Sequence, residues 1–530
     1  MSQLTTDQPI KPQDSSASPE RPTAQPPSDT QVAEASAKYL AKAAENATPV
    51  SPACPPGYKL TEVGVIPEDW EVITLGSVFN FKNGLNKEKH YFGHGTPIVN
   101  YMDVYETGGI LAGTVKGKVC VSQAEKKNYS ARLGDVFFTR TSETVEEIGL
   151  ASVLLDDIED AVFSGFVLRA RQTKEIFIPL FMKYCFRAEL TRRQIQSTAS
   201  YTTRALTNGS LLSSIHVSVP SKKEQTAIAN ALSDMDALIA GLEKLIAKKQ
   251  AIKTATMQQL LTGRTRLPPF AFKESALRED GTHTNSSGTN LDAGTGGPKG
   301  EGQDGLRKGY KQSELGEIPE DWEVRTVFEL AGAQKSLFDD GDWIEAEHIT
   351  NKGIRLIQTG NIGVGRYVEK DAKKYIFEES FEKLQCKELY EGDLLICRLA
   401  EPAGRACILP DLGEEKVITS VDVTIFRPSP DMVSREFYNQ YFSSSNWFRS
   451  VLEQVGGTTH KRISRGALGK ISVIYPNLEE QTAIATILSD MDEEIQALQQ
   501  RLEKTRQIKQ GMMQELLTGR TRLVKPEQAA

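Results

Sequence analysis

The sequence has little cysteine and no long run of apolar residues. Its six cysteines are scattered over 530 residues without a CxxC pair, which excludes a disulfide scaffold and argues against a structural zinc site. No apolar stretch approaches the roughly 20 residues that cross a bilayer, and the first residues carry no apolar core of a secretory signal. We therefore expect a cytoplasmic protein with reduced thiols and no membrane-spanning segment.

Signature motifs of catalysis are also missing. A P-loop needs Ser or Thr after GxxxxGK, but the run Gly113–Lys118 is followed by Val119. The Asn/Asp-Pro-Pro-aromatic tetrapeptide expected of an amino-methyltransferase does not occur. His90 and His94 have no third ligand nearby in the chain, so we expect no metal site there. The sequence thus predicts no catalytic residue, no cofactor and no metal in this chain.

What the sequence does contain is a duplication. Residues 57–74 and 309–326 are identical at 13 of 18 positions, and both contain the string IPEDWE. Residues 224–267 and 480–523 match at 26 of 44 positions, from EQTAIA to LLTGRTRL. Between these blocks the copies have diverged. This pattern predicts one architecture written twice, with shared ends and different interiors.

The second repeated block predicts a long helix in each copy. Apolar residues recur there in alternating steps of four and three, the 3.5-residue period of a coiled-coil seam. About 39 residues at 1.5 Å each give roughly 58 Å of helix. Lys249 and Lys253 interrupt the first seam where Thr505 and Lys509 interrupt the second. Mutual pairing of the helices is favoured over packing of each on its own globular unit. The seam residues are Ile228, Leu232, Met235, Ile239, Leu242, Ile246, Ile484, Leu488, Met491, Ile495, Leu498 and Leu502.

The fold class predicted from these patterns is α+β. Buried strands are expected at 135–139, 162–169, 393–397 and 417–426, and helical stretches at 177–195 and 435–454. The expected segments are a disordered tail with a short helical stretch (1–56), globular unit one (57–223), helix one (224–262), a flexible linker (263–308), globular unit two (309–479), helix two (480–518) and a C-terminal tail (519–530).

The net charge of −7 is unevenly distributed. Residues 57–223 carry 20 Lys and Arg against 18 Asp and Glu, whereas residues 309–479 carry 21 against 28. Even so, both units place a basic cluster before the strand that leads into the long helix, at 187–204 and within 435–470. Basic side chains interleaved with Gly, Ser and Thr suit binding to a nucleic-acid backbone. The alternative is a solvated charged face.

The repeated order of motifs resembles the specificity subunit of Type I restriction–modification systems. The motifs are GYK-x4-G-x-IPEDWE, EQTAIA-x2-LSDMD-x2-I and LLTGRTRL, each present twice between residues 57 and 523. The resemblance implies two target recognition domains, each of which reads one half of a bipartite, asymmetric DNA sequence. It also implies that the long helices form an antiparallel coiled coil, which sets the length of the unread spacer.

The resemblance further implies a chain without an active site that acts through partners. These would be double-stranded DNA, two methyltransferase subunits and two restriction/translocase subunits, with S-adenosylmethionine, ATP and Mg²⁺ bound by the partners. Candidates for docking the methyltransferase are Glu224, Gln225, Glu480, Gln481 and the outer faces of the long helices. Trp70 and Trp322 are expected to anchor each domain rather than to stack on a base. The expected DNA contacts are Arg140, Arg192, Arg193, Tyr201, Thr202 and Arg204 in unit one, and Arg398, Lys461, Arg462, Ser464 and Arg465 in unit two.

Two other classes of function stay open at this point. One is an enzyme with an unrecognised site, which would turn over DNA without partners. The other is a coiled-coil scaffold that binds proteins without sequence-specific DNA binding.

Overall fold

A computed structural model describes residues 54–201, 204–271, 309–399, 401–456 and 461–524, with the side chain of Tyr201 left out. Almost all of the predicted N-terminal tail and most of the predicted linker therefore lie outside the described residues. The chain divides into two compact units. Unit 1 comprises Met1–Lys244 with Gln500–Ala530, and unit 2 comprises Leu245–Gln499. Each unit contains a segment of both long helices.

Unit 1 is built on a five-stranded sheet with smaller sheets beside it. The strand order in that sheet is Phe79–Asn83, Val167–Gln172, Val136–Thr139, Ala151–Leu154 and Gly109–Ile110. Two three-stranded sheets follow, Val162–Phe163 with Phe92–Val99 and Lys118–Val119, and Ser200–Tyr201 with Ala205–Leu206 and Thr141–Ser142. Two pairs complete the strands, Tyr58–Thr61 with Gly64–Pro67 and Glu71–Thr74 with His216–Val219. Short helices are Leu75–Val78, Lys89–Tyr91, Tyr101–Tyr105, Gln123–Asn128, Pro179–Cys185, Glu189–Thr198 and Gly209–Ser213.

Unit 2 follows the same plan with two four-stranded sheets. One has the order Phe338–Asp340, Val423–Phe426, Leu394–Cys397 and Ala406–Ile408, and the other Ile349–Thr350, Lys374–Ile376, Ile354–Ile357 and Val417–Thr419. The pairs Tyr310–Ser313 with Gly316–Pro319 and Glu323–Thr326 with Ser472–Tyr475 repeat those of unit 1. Short helices are Pro268–Phe270, Val327–Leu330, Lys335–Leu337, Ala346–His348, Thr359–Asn361, Glu378–Leu384, Arg435–Tyr441, Ser445–Gln454 and Arg465–Gly469.

The mixed helix and strand content confirms the α+β prediction, with differences in detail. Residues 162–169 and 417–426 are each two strands rather than one, and 177–195 and 435–454 each hold two helices. The second break lies where Ser444 caps a new helix and accepts a hydrogen bond from the Trp447 amide. Such a cap ends one helix and begins the next, and an apolar period alone does not reveal it.

A shared Gly-Asp turn precedes the central strand of each unit. Gly134 and Gly392 adopt φ near +82°, a conformation that glycine reaches without strain. The next residue, Asp135 or Asp393, is buried and accepts a hydrogen bond from an amide three residues earlier in the chain. Each carboxylate also pairs with an arginine, at 2.6 Å in unit 1, where Arg171 lies on a neighbouring strand, and at 2.5 Å in unit 2, where Arg427 directly follows one. The turn aims the buried strand into the core at the same place in both copies.

The long helices are Lys222–Leu260 and Leu478–Leu516, each of 39 residues. Within unit 1 the Lys509 ammonium lies 2.6 Å from Asp236, and Arg506 lies 2.7 Å from Glu243. Numbering therefore rises along one helix as it falls along the other, so the two segments in this unit are antiparallel.

The same relation holds within unit 2. Lys253 lies 2.6 Å from Asp492, and Lys249 lies 2.7 Å from Glu494. Of the twelve predicted seam residues, eight are buried. The four half-buried ones are Met235, Ile239, Met491 and Leu498.

Each unit has one large core that joins its first strands to the long helices. In unit 1 the core includes Trp70, Leu75, Ile228 and Leu232 from the first copy and Leu516 from the end of the second helix. In unit 2 the equivalent core includes Trp322, Val327, Ile484 and Leu488 with Leu260. Among the described residues, no helix is long and apolar enough to cross a membrane.

Candidate nucleic-acid interface

The basic cluster of unit 1 folds as the helix Glu189–Thr198 followed by the first strand of a strand pair. Ser200–Tyr201 pairs with Ala205–Leu206, which in turn pairs with Thr141–Ser142. Arg204 lies just before the second strand with its side chain 64% exposed, and its guanidinium is 3.6 Å from the Glu143 carboxylate. An exposed arginine with a single exposed acidic partner can exchange that partner for a phosphate or a guanine edge.

The basic cluster of unit 2 occupies the equivalent place. Arg462 forms isolated bridges with both Leu399 and Gly456, so its backbone runs between the two segments. Its side chain is 41% exposed, and its guanidinium lies 2.9 Å from the Asp422 carboxylate. Lys461 beside it is exposed. The two hairpin arginines, Arg204 and Arg462, thus recur on the same scaffold although the sequences around them differ.

A short helix follows each cluster and fixes its position. Asn208 caps the first of these helices, and Ser464 caps the second by accepting a hydrogen bond from the Ala467 amide at 3.1 Å. The Ser464 hydroxyl is therefore engaged in a helix cap. Arg465, the first residue of that helix, pairs with Asp339. Both residues lie on the same edge of the unit as Arg462.

Two predicted contact residues are buried instead. The Arg192 guanidinium donates to the carbonyls of Gly149 at 2.7 Å and Glu146 at 2.8 Å. Burial lowers the pKa of Arg192 to about 10, so it remains charged near neutral pH. Because it is buried and donates to two carbonyls inside the domain, Arg192 holds the 146–149 loop in place, which corrects its assignment as a DNA contact.

Arg398 is the second buried arginine, with a side chain 3% exposed. It donates to the carbonyls of Ile463 and Val421 and lies 3.0 Å from the Asp340 carboxylate. Burial lowers the pKa of Arg398, although the charge of Asp340 opposes that shift. The residue ties the loop before the Arg465 helix to the sheet, so its assignment as a DNA contact is also corrected.

The remaining predicted contacts divide as follows. Arg140 is half-buried and donates to the Gly165 carbonyl at 3.2 Å. Arg193 is exposed on its helix, where it pairs with Glu189. The Tyr201 side chain and Thr202 lie outside the described residues.

The predicted docking residues are the centre of a buried ionic cluster in each unit. In unit 1 Glu224 is 1% exposed, accepts a hydrogen bond from the Trp70 indole at 2.9 Å, and pairs with Arg522 at 2.8 Å. Arg522 also forms a two-pronged pair with Asp69, at 2.9 and 2.8 Å. We call this set (Asp69, Trp70, Glu224, Arg522) the unit 1 latch.

The unit 2 latch consists of Asp321, Trp322, Glu480 and Arg266. The Trp322 indole donates to Glu480 at 2.8 Å, and Arg266 pairs with both carboxylates, at 2.6 Å for Glu480 and 2.7 Å for Asp321. Burial of both indoles confirms that the tryptophans anchor their domains. The docking prediction for Glu224 and Glu480, and for Gln225 and Gln481 beside them, was wrong because all four side chains are buried.

Sequence reasoning missed the acidic partners and the latch arginines. Arg266 and Arg522 are the second arginines of the repeated string GRTRL, which the predicted segments place in the linker and in the C-terminal tail. The signal available was their identical position in both copies, together with the repeated Glu of EQTAIA and Asp of PEDW. Within the described ranges, no group of three or more His, Cys, Asp or Glu side chains is placed to hold a metal ion.

Fold and site together define a duplicated α+β protein that carries an exposed hairpin arginine at the edge of each copy, a class suited to reading nucleic acid. The family model described as Type I restriction modification DNA specificity domain matches residues 67–254 and again 319–507. The chain therefore belongs to the Type I restriction–modification DNA specificity family, and DNA sequence recognition is its role.

Relatives match along most of the chain. The Type I restriction enzyme MjaVIII specificity subunit of Methanocaldococcus jannaschii is 23% identical over 463 residues, which cover 86% of this chain and 94% of the relative. The putative type I restriction enzyme MjaX specificity subunit of the same organism is 25% identical and covers 88% and 97%. The crystal structure of the Type-I restriction-modification system S subunit from M. genitalium aligns with a TM-score of 0.46, 14% identity and coverage of 86% and 97%.

Proposed function

We propose that residues 57–223 and 309–479 are two target recognition domains, each of which reads one half of a bipartite, asymmetric DNA sequence. The observation that carries this proposal is the recurrence of an exposed hairpin arginine, Arg204 or Arg462, in copies whose interiors otherwise differ. The common frame keeps an arginine in the same place, and the divergent interiors around it supply the different contacts that two half-sites require. Arg193, Lys461 and Arg465 lie close to these arginines in the chain and complete the proposed contact sets.

The acidic partners of these arginines compete with DNA for the guanidinium groups. Glu143 and Asp422 neutralise Arg204 and Arg462 when no DNA is present. A guanine offers two acceptors, N7 and O6, that match the two-pronged geometry of arginine, and a correct pair contributes about 1–3 kcal/mol of discrimination. At a wrong base that exchange gains little, so the arginine keeps its carboxylate partner. The pairs thus favour recognition of sequence over binding to any backbone.

The long helices are proposed to pair as an antiparallel coiled coil whose length sets the unread spacer. The antiparallel ion pairs within each unit support this arrangement, as do the buried apolar residues at the predicted seam positions. Helices of 39 residues extend about 58 Å. A rigid element of fixed length between two readers makes the spacing between half-sites a property of the helices.

The chain is proposed to be a non-catalytic subunit that acts in the cytoplasm on double-stranded DNA. Its partners would be two methyltransferase subunits and two restriction/translocase subunits, which bind S-adenosylmethionine, ATP and Mg²⁺. Near-identical blocks at the ends of both copies suit two identical partners related by a pseudo-twofold. A scaffold without DNA recognition is not supported by the family to which the chain belongs.

The test is a map of methylated adenines in cells with and without this chain, followed by variants of the assembled methyltransferase. Arg204→Ala and Arg462→Ala should each weaken binding to the mapped sequence and relax the requirement at one base pair, in opposite half-sites. Lys244→Ala, which removes an exposed charge from the first long helix, is the matched control. Unchanged affinity and specificity in both arginine variants would refute the proposed contacts.

A phosphate contact would behave differently in the same measurement. It would weaken binding to all sequences and reduce the dependence of affinity on salt by about one ion. If the wild-type complex protects no sequence selectively, the scaffold function is correct instead.

A further inference from the structure

Each unit contains a point where two backbone segments cross in close contact, and both crossings lie at the same place in the fold. In unit 1 Leu85 forms a parallel bridge with Ser164, and in unit 2 Asp342 forms one with Ser420. A glycine precedes the first bridge residue in both units. A Cβ on Gly84 would lie 2.1 Å from the Ser164 carbonyl oxygen, and one on Gly341 would lie 2.4 Å from the Thr419 oxygen. The crossings therefore require glycine at these positions.

The unit 1 crossing displays Phe166, whose residue surface is 68% exposed. Its backbone is held on both sides, because the Gly165 amide donates to the Leu85 carbonyl at 2.8 Å and the Val167 amide donates to the Ser164 carbonyl at 3.1 Å. A large apolar ring thus projects from a backbone that is fixed by hydrogen bonds, rather than from a free loop.

The unit 2 crossing displays Trp343, which is 67% exposed. The residue before it, Asp342, donates its amide to the Thr419 carbonyl at 2.9 Å and accepts the Lys387 amide at 2.7 Å. The indole N–H donates to Glu345 at 3.3 Å, a bond at the ring edge that leaves the ring exposed. The three other tryptophans of the chain, Trp70, Trp322 and Trp447, are buried.

Each crossing is linked to the hairpin arginine of its unit through a short series of backbone and side-chain contacts. In unit 1 the Phe166 carbonyl accepts a hydrogen bond from the Arg140 amide at 3.4 Å. The strand Thr141–Ser142, which follows Arg140, pairs with Ala205, the neighbour of Arg204. In unit 2 the partner of Arg462 is Asp422, two residues after the bridged Ser420. The crossing and the basic hairpin are therefore connected through directly bonded segments in each unit.

From these observations, together with the function proposed above, we infer that Phe166 and Trp343 make apolar contacts with the bases of their half-sites. Aromatic rings in DNA-reading proteins contact thymine methyl groups or insert between base steps. The two aromatic residues come from different segments of the crossing. Phe166 follows Ser164, in the later of the two crossing segments of unit 1, whereas Trp343 follows Asp342, in the earlier segment of unit 2. A surface for an identical protein partner would place like residues at like positions, whereas two readers of different sequences place them differently.

The position of Trp343 permits a direct optical test. We would replace the four tryptophans by 5-hydroxytryptophan in this chain alone and assemble it with unlabelled methyltransferase subunits. In the free complex, acrylamide should quench the fluorescence of Trp343, because the other three residues are buried. A duplex with the mapped target should protect this component by at least threefold, and a scrambled duplex should not. Trp343→Phe should remove the quenchable component.

Substitution tests both residues by affinity. Phe166→Ala and Trp343→Ala should each weaken binding to the target duplex by about 5- to 150-fold, the fold-change that corresponds to the roughly 1–3 kcal/mol of one aromatic–base stacking contact on single strands. Each should relax one base pair, in opposite half-sites. Leu60→Ala in unit 1 and Phe377→Ala in unit 2, both exposed and in segments that form neither crossing, are matched controls that should leave affinity unchanged. Thermal unfolding of every variant should match the wild type.

The outcomes separate this inference from the function on which it rests. If the wild-type complex discriminates target from scrambled duplex but Trp343 stays quenchable and both alanine variants bind normally, the aromatic contacts are refuted and the proposed function stands. If the wild-type complex does not discriminate at all, the proposed function fails first. If the alanine variants lose binding to the methyltransferase subunits instead of to DNA, the crossings are protein interfaces and the inference is wrong.

Discussion

At the scale of single residues, arginines of the same clusters have two different roles. Arg192 and Arg398 are buried and donate to backbone carbonyls, whereas Arg204 and Arg462 are exposed and face single carboxylates. The sequence shows where basic residues are clustered, and both clusters do lie at domain edges. It does not show which of them is buried, because burial depends on the loops that the fold brings from 146–149 and 421–422.

This division predicts opposite phenotypes for neighbouring arginines in unit 2. Arg398→Ala should lower the free energy of unfolding by about 3–5 kcal/mol, because it leaves the half-buried Asp340 carboxylate without its counter-charge. Arg462→Ala removes an exposed pair and should cost at most about 1 kcal/mol. Urea unfolding of the full chain distinguishes the two. Equal destabilisation by both substitutions would show that the two arginines are not differently buried.

At the scale of elements, the long helices were the most predictable part of the chain. Their apolar period predicted twelve seam positions, of which eight are buried, and the polar interruptions Lys253 and Lys509 were evident at the same height. The ion-pair partners of these lysines could not be predicted. Asp492 and Asp236 lie on the opposite helix, and which residues face each other depends on the register between the helices, which a single sequence does not give. Both aspartates come from the repeated LSDMD string, so the duplication repeats the pair with the roles of the helices exchanged.

The Lys253–Asp492 pair is predicted to fix the register of the helices in unit 2. Lys253→Glu should destabilise the unit by about 1–3 kcal/mol, because it places two negative charges together where Gln440 also donates to Asp492. Addition of Asp492→Lys should restore most of the loss by exchanging the charges. Lys248→Glu, on the exposed face of the same helix, is the control. Thermal unfolding of Lys253→Glu, Asp492→Lys, the double variant and the control measures the coupling, and an additive double variant would contradict it.

Asp236 gives unit 1 a predictable pH dependence. Burial alone would raise the pKa of Asp236, but hydrogen bonds from Lys183, Lys509 and Tyr184 outweigh it and lower the pKa below its usual 3.8. Since the folded state holds the carboxylate more strongly than the unfolded chain, its stabilisation is present above about pH 4 and is lost as pH falls through the lower folded value.

The corresponding test compares Asp236→Asn with the wild type by thermal unfolding from pH 7 to pH 2. The variant should melt at a lower temperature at pH 7, and the difference should shrink as the pH falls below 4. Asp234→Asn, which changes the exposed neighbour in the same motif, should leave the profile close to that of the wild type. A gap between Asp236→Asn and wild type that is constant across this range would show that the ionised carboxylate contributes nothing.

At the scale of the whole molecule, the GRTRL string that ends each copy of the repeat packs in the unit that contains the IPEDWE block of the other copy. Arg522, at the end of the second copy, pairs with Asp69 and Glu224 of the first copy in unit 1. Arg266, at the end of the first copy, does the same in unit 2. Self-similarity predicts that the two latches are alike. It does not predict that each arginine pairs with carboxylates of the other copy, because the repeated motifs are the same in both copies.

The latches therefore predict that substitution of Arg522 destabilises unit 1 and that substitution of Arg266 destabilises unit 2. Burial alone would lower the pKa of Arg522, but its hydrogen bonds with Asp69 and Glu224 raise it, so the guanidinium is fully charged in the folded unit. Arg522→Gln leaves the buried Glu224 carboxylate without a counter-charge, which should cost unit 1 about 3–5 kcal/mol. Arg266→Gln should impose the same cost on unit 2 through Glu480, which is fully buried as well.

Hydrogen exchange measured by mass spectrometry resolves the two effects, because each peptide reports its own unit. Arg522→Gln should raise exchange in the 58–74 and 216–232 peptides while 310–326 and 472–488 stay protected, and Arg266→Gln should give the reverse. Arg520→Gln, two residues before Arg522 and exposed, is the matched control. If Arg522→Gln instead raised hydrogen exchange at 310–326, in the second copy to which Arg522 belongs, each arginine would stabilise its own copy. The pairing of each latch arginine with the other copy would then be wrong.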